Sequence, residues 1–319
     1  MIYRSLIASL FIALPVFAFI SETVSIAQAI DLDQLRQRAV ELVNNERRER
    51  GLGPLSLGSA LNSAAQTHAE DMLQRNYYSH VSPEGDTVAD RYIEAGGSRW
   101  HVSAENIARC QGCPFPPGPE RVVDLHRGWM DSPPHRENIV KRGLDRFGFG
   151  IAAGPDQALY AVQAFAGPGT PREMQPGETA VMVKPEEQTV QALQRLNKER
   201  HANGSEPLKA DPTLIRAASN LIQQGSQETS TLDLQNNLSN VVPAGSFSDW
   251  RSLAAVTGRC GGCGTQPTAA DVRSFVNQWL EPSGYRDQLL SEDLTHLGFA
   301  LQANGDGLKT ASAVLGQHR

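Results

Sequence analysis

The stretch NNERRERGLGPL (residues 44–55) decides how this chain folds, because the chain writes it a second time as NKERHANGSEPL (197–208). The copies stand 153 residues apart, and the next motif follows them: LNSAA at 61–65 returns as LIRAA at 214–218. Further along the spacing settles at 150. RCQGC (109–113) becomes RCGGC (259–263), Trp129 meets Trp279, Arg136 meets Arg286, Ile139 meets Leu289, Leu144 meets Leu294, and FGFGIA meets LGFALQ. Matching motifs in one order at so long a period mean a duplicated domain, since stacked repeats recur at roughly 20–50 residues. The join falls in GPGTPREMQPGETAVMVKPEE (167–187), which is rich in Pro and Gly and has no apolar alternation long enough for an element. The expected organisation is a first domain over 30–168, a linker over 169–186 and a degenerate second copy over 187–319.

Each copy has the same coarse layout. In the first, Leu35, Val40, Leu42 and Val43 give an amphipathic helix over about 32–50, stopped by Gly51 and Gly53. Ala60, Leu61, Ala64, Ala65, His68 and Met72 give a second helix over 58–75, and TVADRYIEAG a short third. Residues 119–131 read as another helix. FGFGIAAG and QALYAVQAFAG read as two strands joined at AGPDQ. Helices around a small antiparallel sheet placed late in the domain give an α+β sandwich.

A length of 319 residues fits about two domains, and 40% hydrophobic with 20% charged residues is a globular composition. A net charge of −6 provides no basic footprint for nucleic acid or an anionic membrane. Residues 1–29 read as an export signal: MIYR, then the apolar run SLIASLFIALPVFAFI, then IAQA with cleavage after Ala29. The run is shorter than the roughly 20 residues that span a bilayer and is interrupted by Pro15, so a cleaved signal is expected rather than an anchor or a stable span. The expected location is secreted or periplasmic, where cysteines pair.

The ordered set NNERRERGLGPLSLGSALNSAAQTHAEDM, SHVSPEG, AENIA and SPPHRENI resembles the bacterial secreted branch of the CAP superfamily (cysteine-rich secretory proteins, venom antigen 5, plant pathogenesis-related proteins). The resemblance covers residues 34–167 strongly and 187–319 as a worn copy. It implies tandem three-layer α-β-α sandwiches with a large surface cleft holding a His/Glu cluster. Position by position it implies His80 in SHVSPEG, Glu105 in AEN and His135 in SPPHRENI as cleft residues. The family's fourth member, an acid three residues after a Trp, falls on Ser132, so that ligand is missing or replaced by the neighbouring Asp131.

On their own terms, two neutral imidazoles and a carboxylate are a workable set for zinc or another divalent cation, with open positions for water or substrate. Spacing alone does not bring 80, 105 and 135 together; the fold has to. For His135 the plainer reading is a helix start, with Ser132 as N-cap and prolines in the first turn. The second copy separates the two readings. Trp279, Arg286 and Leu289 persist there, while His135 becomes Tyr285, Glu105 falls opposite Ala255, and the region opposite His80 has no histidine. The fold-forming pattern survives where the cluster does not, which marks the cluster as a site. His68 is expected to pack or face solvent, and His101, His126, His201, His296 and His318 show no partner in the sequence.

Cys110, Cys113, Cys260 and Cys263 form two CxxC pairs. They fit a local disulfide in each domain, a shared four-thiolate zinc site or cross-domain bridges, or a redox-active pair. Export and one pair per copy favour local disulfides. G-x-S-x-G, H-E-x-x-H and G-x-x-x-x-G-K-[ST] are absent from the sequence, which removes the usual signatures of serine hydrolases, zincins and nucleotide binders. The expected function is an extracellular binding module, with lipid, glycan or protein as the partners the resemblance implies. A metal-assisted hydrolase or protease using His80, Glu105 and His135 is the alternative, and a partner-docking protein with a vestigial cleft is a third.

Overall fold

A computed structural model describes residues 30–154, 158–175, 177–225, 234–282 and 285–319. The export signal expected at 1–29 and the hairpin-turn residues 155–157 lie outside the described residues.

The duplicated stretch does the same work twice. In helix α1 (Leu32–Glu49) Arg47 is buried without a carboxylate partner; Nε donates to Gly53 O, Nη1 to Ile139 O and Lys141 O, and Nη2 to Leu144 O, at 2.8–3.4 Å. In helix α6 (Pro185–Ala202) Arg200 repeats the set on Glu206, Leu289, Ser291 and Leu294. One turn earlier Asn44 clips the backbone of Leu55 through both its amide groups, and Asn197 clips Leu208 in the same way. A buried cation is tolerable when its donors are used, and four of each guanidinium's five N–H donors are. Here they are used to tie the end of the first helix to a distant loop.

In the first domain α1 is followed by β1 (Ser56–Leu57), α2 (Ser59–Arg75), α3 (Val88–Glu94), β2 (Val102–Gln111), α4 (Pro119–Asp131), α5 (Pro133–Ile139), β3 (Arg146–Ala153) and β4 (Ala158–Gly167). The second repeats the order after α6 as β5 (Lys209–Ala210), α7 (Pro212–Gly225), α8 (Leu234–Val241), β6 (Trp250–Cys260), α9 (Ala269–Trp279), α10 (Arg286–Leu290), β7 (His296–Ala303) and β8 (Lys309–His318). The sheets run β1-β3-β4-β2 and β5-β7-β8-β6, antiparallel except for the short parallel first pair of each. In the first domain one core joins α1, α4 and α5 to one face of the sheet, around Val43, Trp129 and Phe165. A second joins α2 and α3 to the other face, around Leu61, Met72 and Val162. This is the expected three-layer α-β-α sandwich, in tandem. Gly148 and Gly298 let the second helix of each copy sit directly on the sheet, since a Cβ there would overlap the Leu61 or Leu214 backbone.

Two differences from the sequence reading concern β2 and the linker. The sheet does not lie only late in the domain: β2 is a ten-residue strand pairing with β4 over its whole length, Val102↔Gly167 to Gln111↔Ala158. Its alternation is disguised because Glu105 and Asn106, both buried, stand where apolar residues would mark a strand. Residues of the linker pack on the second domain. Met182 bridges Thr268, Val183 N donates to Pro267 O, and Arg273 holds Glu178 at 2.7 Å.

The cysteine alternatives resolve to local disulfides. Cys110–Cys113 and Cys260–Cys263 are bonded, each with Cα atoms 5.9 Å apart, inside the usual range. The second loop also touches the first domain: Gly262 N donates to Trp100 O and Gly264 N to Pro168 O, both at 2.7 Å. Beside it Asp306 accepts from Ser98 Oγ and pairs with His101 Nε2, each at 2.6 Å. His101, partnerless in the sequence, therefore joins the two copies.

Candidate functional site

The site wraps the free edge of β2. Edge strands carry unpaired carbonyls, and here side chains from three elements cover them. Tyr78 Oη and Trp129 Nε1 both donate to Ile107 O at 3.1 Å, and Asn138 Nδ2 donates to Glu105 O at 3.0 Å. Beneath, a buried amide lattice holds α5 in place: Asn106 Nδ2 donates to Gln163 Oε1 and to the carbonyl of His135, and Asn138 Nδ2 donates to Asn106 Oδ1.

The three expected residues meet at this edge. His80, in the loop after α2, pairs through Nδ1 with Glu105 Oε1 at 2.8 Å. A carboxylate only accepts, so Nδ1 is the nitrogen that donates, and the neutral tautomer this bond selects has a bare Nε2. His135 enters from the start of α5. Burial holds its imidazole below the ordinary value, and the neighbouring His80 pushes it the same way. The α5 start matches the helix-cap reading in position only: Ser132 is the N-cap residue but its side chain makes no capping bond. The Pro133–Pro134 turn and the Asn106 bond to its carbonyl fix where His135 stands.

Glu105 has neighbours the sequence did not announce. Its other oxygen, Oε2, accepts from Arg91 Nη2 at 2.7 Å, and the pair is nearly inaccessible, 3% and 9% exposed at the side chains. Arg91 also donates to the carbonyls of His80 and Asp86, so it holds the loop as well as the charge. Behind the pair lies His68, which the sequence reading sent to packing or solvent. It is buried, donates from Nε2 to Ser79 O at 2.9 Å, and has the Tyr77 hydroxyl 3.4 Å from Nδ1. Burial is the main cause of its lowered pKa, so it stays neutral at neutral pH. Tyr77 in turn donates to Asp71 at 2.5 Å. Arg91 and Gln163 are thus supporting residues outside the family motifs, and His68, Asn106 and Asn138 stand inside those motifs with a supporting role that the sequence did not assign.

As placed, no group of three His, Cys, Asp or Glu among the described residues is arranged to hold an ion. The donor set fits a different division of labour. With both oxygens engaged, Glu105 orients His80, in the manner of the carboxylates that fix metal-ligating histidines, and the free donors are His80 Nε2 and His135.

The comparisons agree with the fold. Residues 40–165 and 193–315 both match the profile of CAP, the Cysteine-rich secretory protein family. The chain belongs to that family, twice over. YkwD, an uncharacterized protein of Bacillus subtilis (strain 168), is 34% identical over 114 residues, 36% of this chain and 41% of its own. The uncharacterized membrane protein YlbC of the same strain is 30% identical over 115 residues, 36% and 31% of the two chains. The chain therefore matches well under half the length of either relative. Among solved structures, an extracellular protein containing a SCP domain from Bacillus anthracis str. Ames is 26% identical, covers 42% of this chain and 40% of its own, and has a TM-score of 0.35.

Proposed function

We propose that the chain acts outside the cell as a binding module whose first-domain cleft takes a divalent cation and a ligand, with the second domain as structural support. The observation that carries this reading is the doubly held carboxylate: Glu105 fixes His80 by Nδ1 while Arg91 neutralises its other oxygen. That arrangement leaves His80 Nε2 without a bond to Glu105, near a second imidazole, His135, that burial and His80 hold below its ordinary value. His80 Nε2 and His135 would hold the ion, and water or ligand would complete its shell; when bound, the ion supplies a Lewis-acidic point for an anionic or carbonyl group. The hydrolase alternative needs Glu105 as a ligand or as a general base for water, and its two oxygens are already engaged, one by buried Arg91 and one by His80. Secretion rests on the N-terminal signal pattern. None of the described helices is long and apolar enough to cross a membrane.

A crystal of the full chain soaked in zinc and measured at the zinc edge tests the reading. Anomalous density is expected between His80 and His135 and none in the second domain. No density there, at zinc concentrations that fill other sites, would refute it.

A further inference from the structure

The cleft continues past His135 into a groove of about 350 Å³ between β2 and α4. Buried Ile107 and Trp129 form its floor, with Leu125 beside them. Two arginines line it. Arg109 lies over the Tyr78 ring, 5.1 Å from the centroid, and among the described residues no carboxylate is within ion-pair distance of it. Arg121 pairs with Asp124 through Nη1 at 3.3 Å, but its Nε is buried and unpartnered.

Gly128 completes the groove. It sits inside α4, where glycine is the weakest helix residue after proline. A Cβ built on it meets no heavy atom within 4 Å, and its backbone is not in the left-handed region. Neither packing nor conformation therefore requires glycine at this point; its effect is to leave the groove open where α4 passes. In the second domain the residues 150 further on are Gln278 for Gly128 and Asp271 for Arg121, and the Asp271 carboxylate is taken up by buried Lys309.

We propose that this groove binds an organic anion, with a carboxylate or phosphate head between Arg109 and Arg121 and an apolar remainder over Gly128 and Leu125. Guanidinium groups pair such heads with two parallel hydrogen bonds. Asp124 also lines the groove but is taken up by Arg121, and a pocket of this size with an apolar floor and convergent polar groups is built for a small ligand. The inference rests on the reading of the first-domain cleft as a ligand site, but the anion is held without any ion.

Calorimetry of the full chain in EDTA tests it, using decanoate, decyl phosphate, decanol, decyltrimethylammonium and inorganic phosphate. Decanoate and decyl phosphate are expected to bind one site, decanol and inorganic phosphate at least about tenfold more weakly, and the cation not measurably. Arg109→Gln with Arg121→Gln should weaken both amphiphilic anions about tenfold or more and leave decanol unchanged. Gly128→Leu should fill the groove and abolish binding while the Tm stays or rises. Equal affinity for decanol and decanoate, or for phosphate with and without its chain, would overturn the proposal. So would a Gly128→Leu protein of undiminished Tm that still binds. Because EDTA removes zinc, these outcomes are independent of whether zinc binds at His80 and His135.

Discussion

In the first sheet Asn106 faces Gln163 across the β2–β4 ladder; at the matching register of the second, Val256 faces Ala313. One residue earlier Glu105 faces Ala164, and its counterpart Ala255 faces Val314. The strands pair alike, yet at these positions one ladder carries a buried polar lattice and the other apolar side chains; the second copy's own buried pair, Asp271–Lys309, stands at another register. The helices say the same. His126 of α4 is matched, 150 residues on, by Val276, and His68 of α2, 153 residues on, by Leu221, both fully buried. A buried polar network is costly unless fully satisfied, so a Glu105–Asn106–Gln163 lattice that the second copy replaces with apolar residues at the same register is one the fold does not demand. What both copies keep is the architecture: Arg47 and Arg200, Trp129 and Trp279, the disulfide, the sheet order.

The largest effects should fall on that shared architecture. Arg47→Met and Arg200→Met each strand four carbonyls, and each should cost about 3 kcal/mol or more in denaturant unfolding of its own domain. Two very different costs would break the equivalence of the copies.

Arg91→Leu should destabilise the first domain by a comparable amount, about 3 kcal/mol, because it leaves the buried Glu105 carboxyl without its guanidinium partner. The double variant Arg91→Leu/Glu105→Ala, which imitates the apolar second copy, should recover most of that loss. Additive costs in the double-mutant cycle would show that the two residues do not act as a pair.

A smaller effect separates function from accident inside the first domain. His126 is buried with neither ring nitrogen hydrogen-bonded, and burial lowers its pKa, as it does that of His68. A histidine with a depressed folded pKa lets the unfolded chain bind more protons. Its contribution to stability is therefore whole above the unfolded value of about 6.5 and is lost as the pH falls through and below it, toward the lowered folded value. Thermal unfolding should show the Tm dropping between pH 7 and pH 5. His126→Leu should flatten part of that slope and add about 1 kcal/mol at neutral pH. An unchanged slope would mean that His126 does not titrate on unfolding.

The domain contact should matter least. Asp306→Ala removes the bonds to Ser98 and His101. It should cost under about 1 kcal/mol, since Asp306 is half exposed, yet raise hydrogen exchange at residues 98–102 in the first domain. Unaltered exchange there would show the contact to be incidental.

The skeleton was legible because duplication repeats it at nearly constant spacing, and the trio His80, Glu105 and His135 because the resemblance to the CAP family names it and the second copy then drops it. β2 was not legible as a strand, since the residues that give the cleft its character, Glu105 and Asn106, interrupt its apolar alternation. Arg91 and His68 reach the site from α3 and α2 through the sandwich, and only the packing of those helices on the sheet brings them to Glu105. Asn106 and Gln163 left one trace: at the same offset of 150 they stand opposite Val256 and Ala313.

The central claim is that one copy binds an ion and the other supports it, and zinc calorimetry on the full chain tests it most directly. Wild-type protein should show one site. Its affinity should fall as the pH drops through the imidazole range, persisting somewhat below the ordinary value near 6.5 because His135 is depressed. His80→Ala/His135→Ala should abolish that site, and Tyr285→His should add none, because the second copy has no counterparts to His80 and Glu105. Zinc bound equally by the double variant, or a second site found in the wild type, would contradict the account.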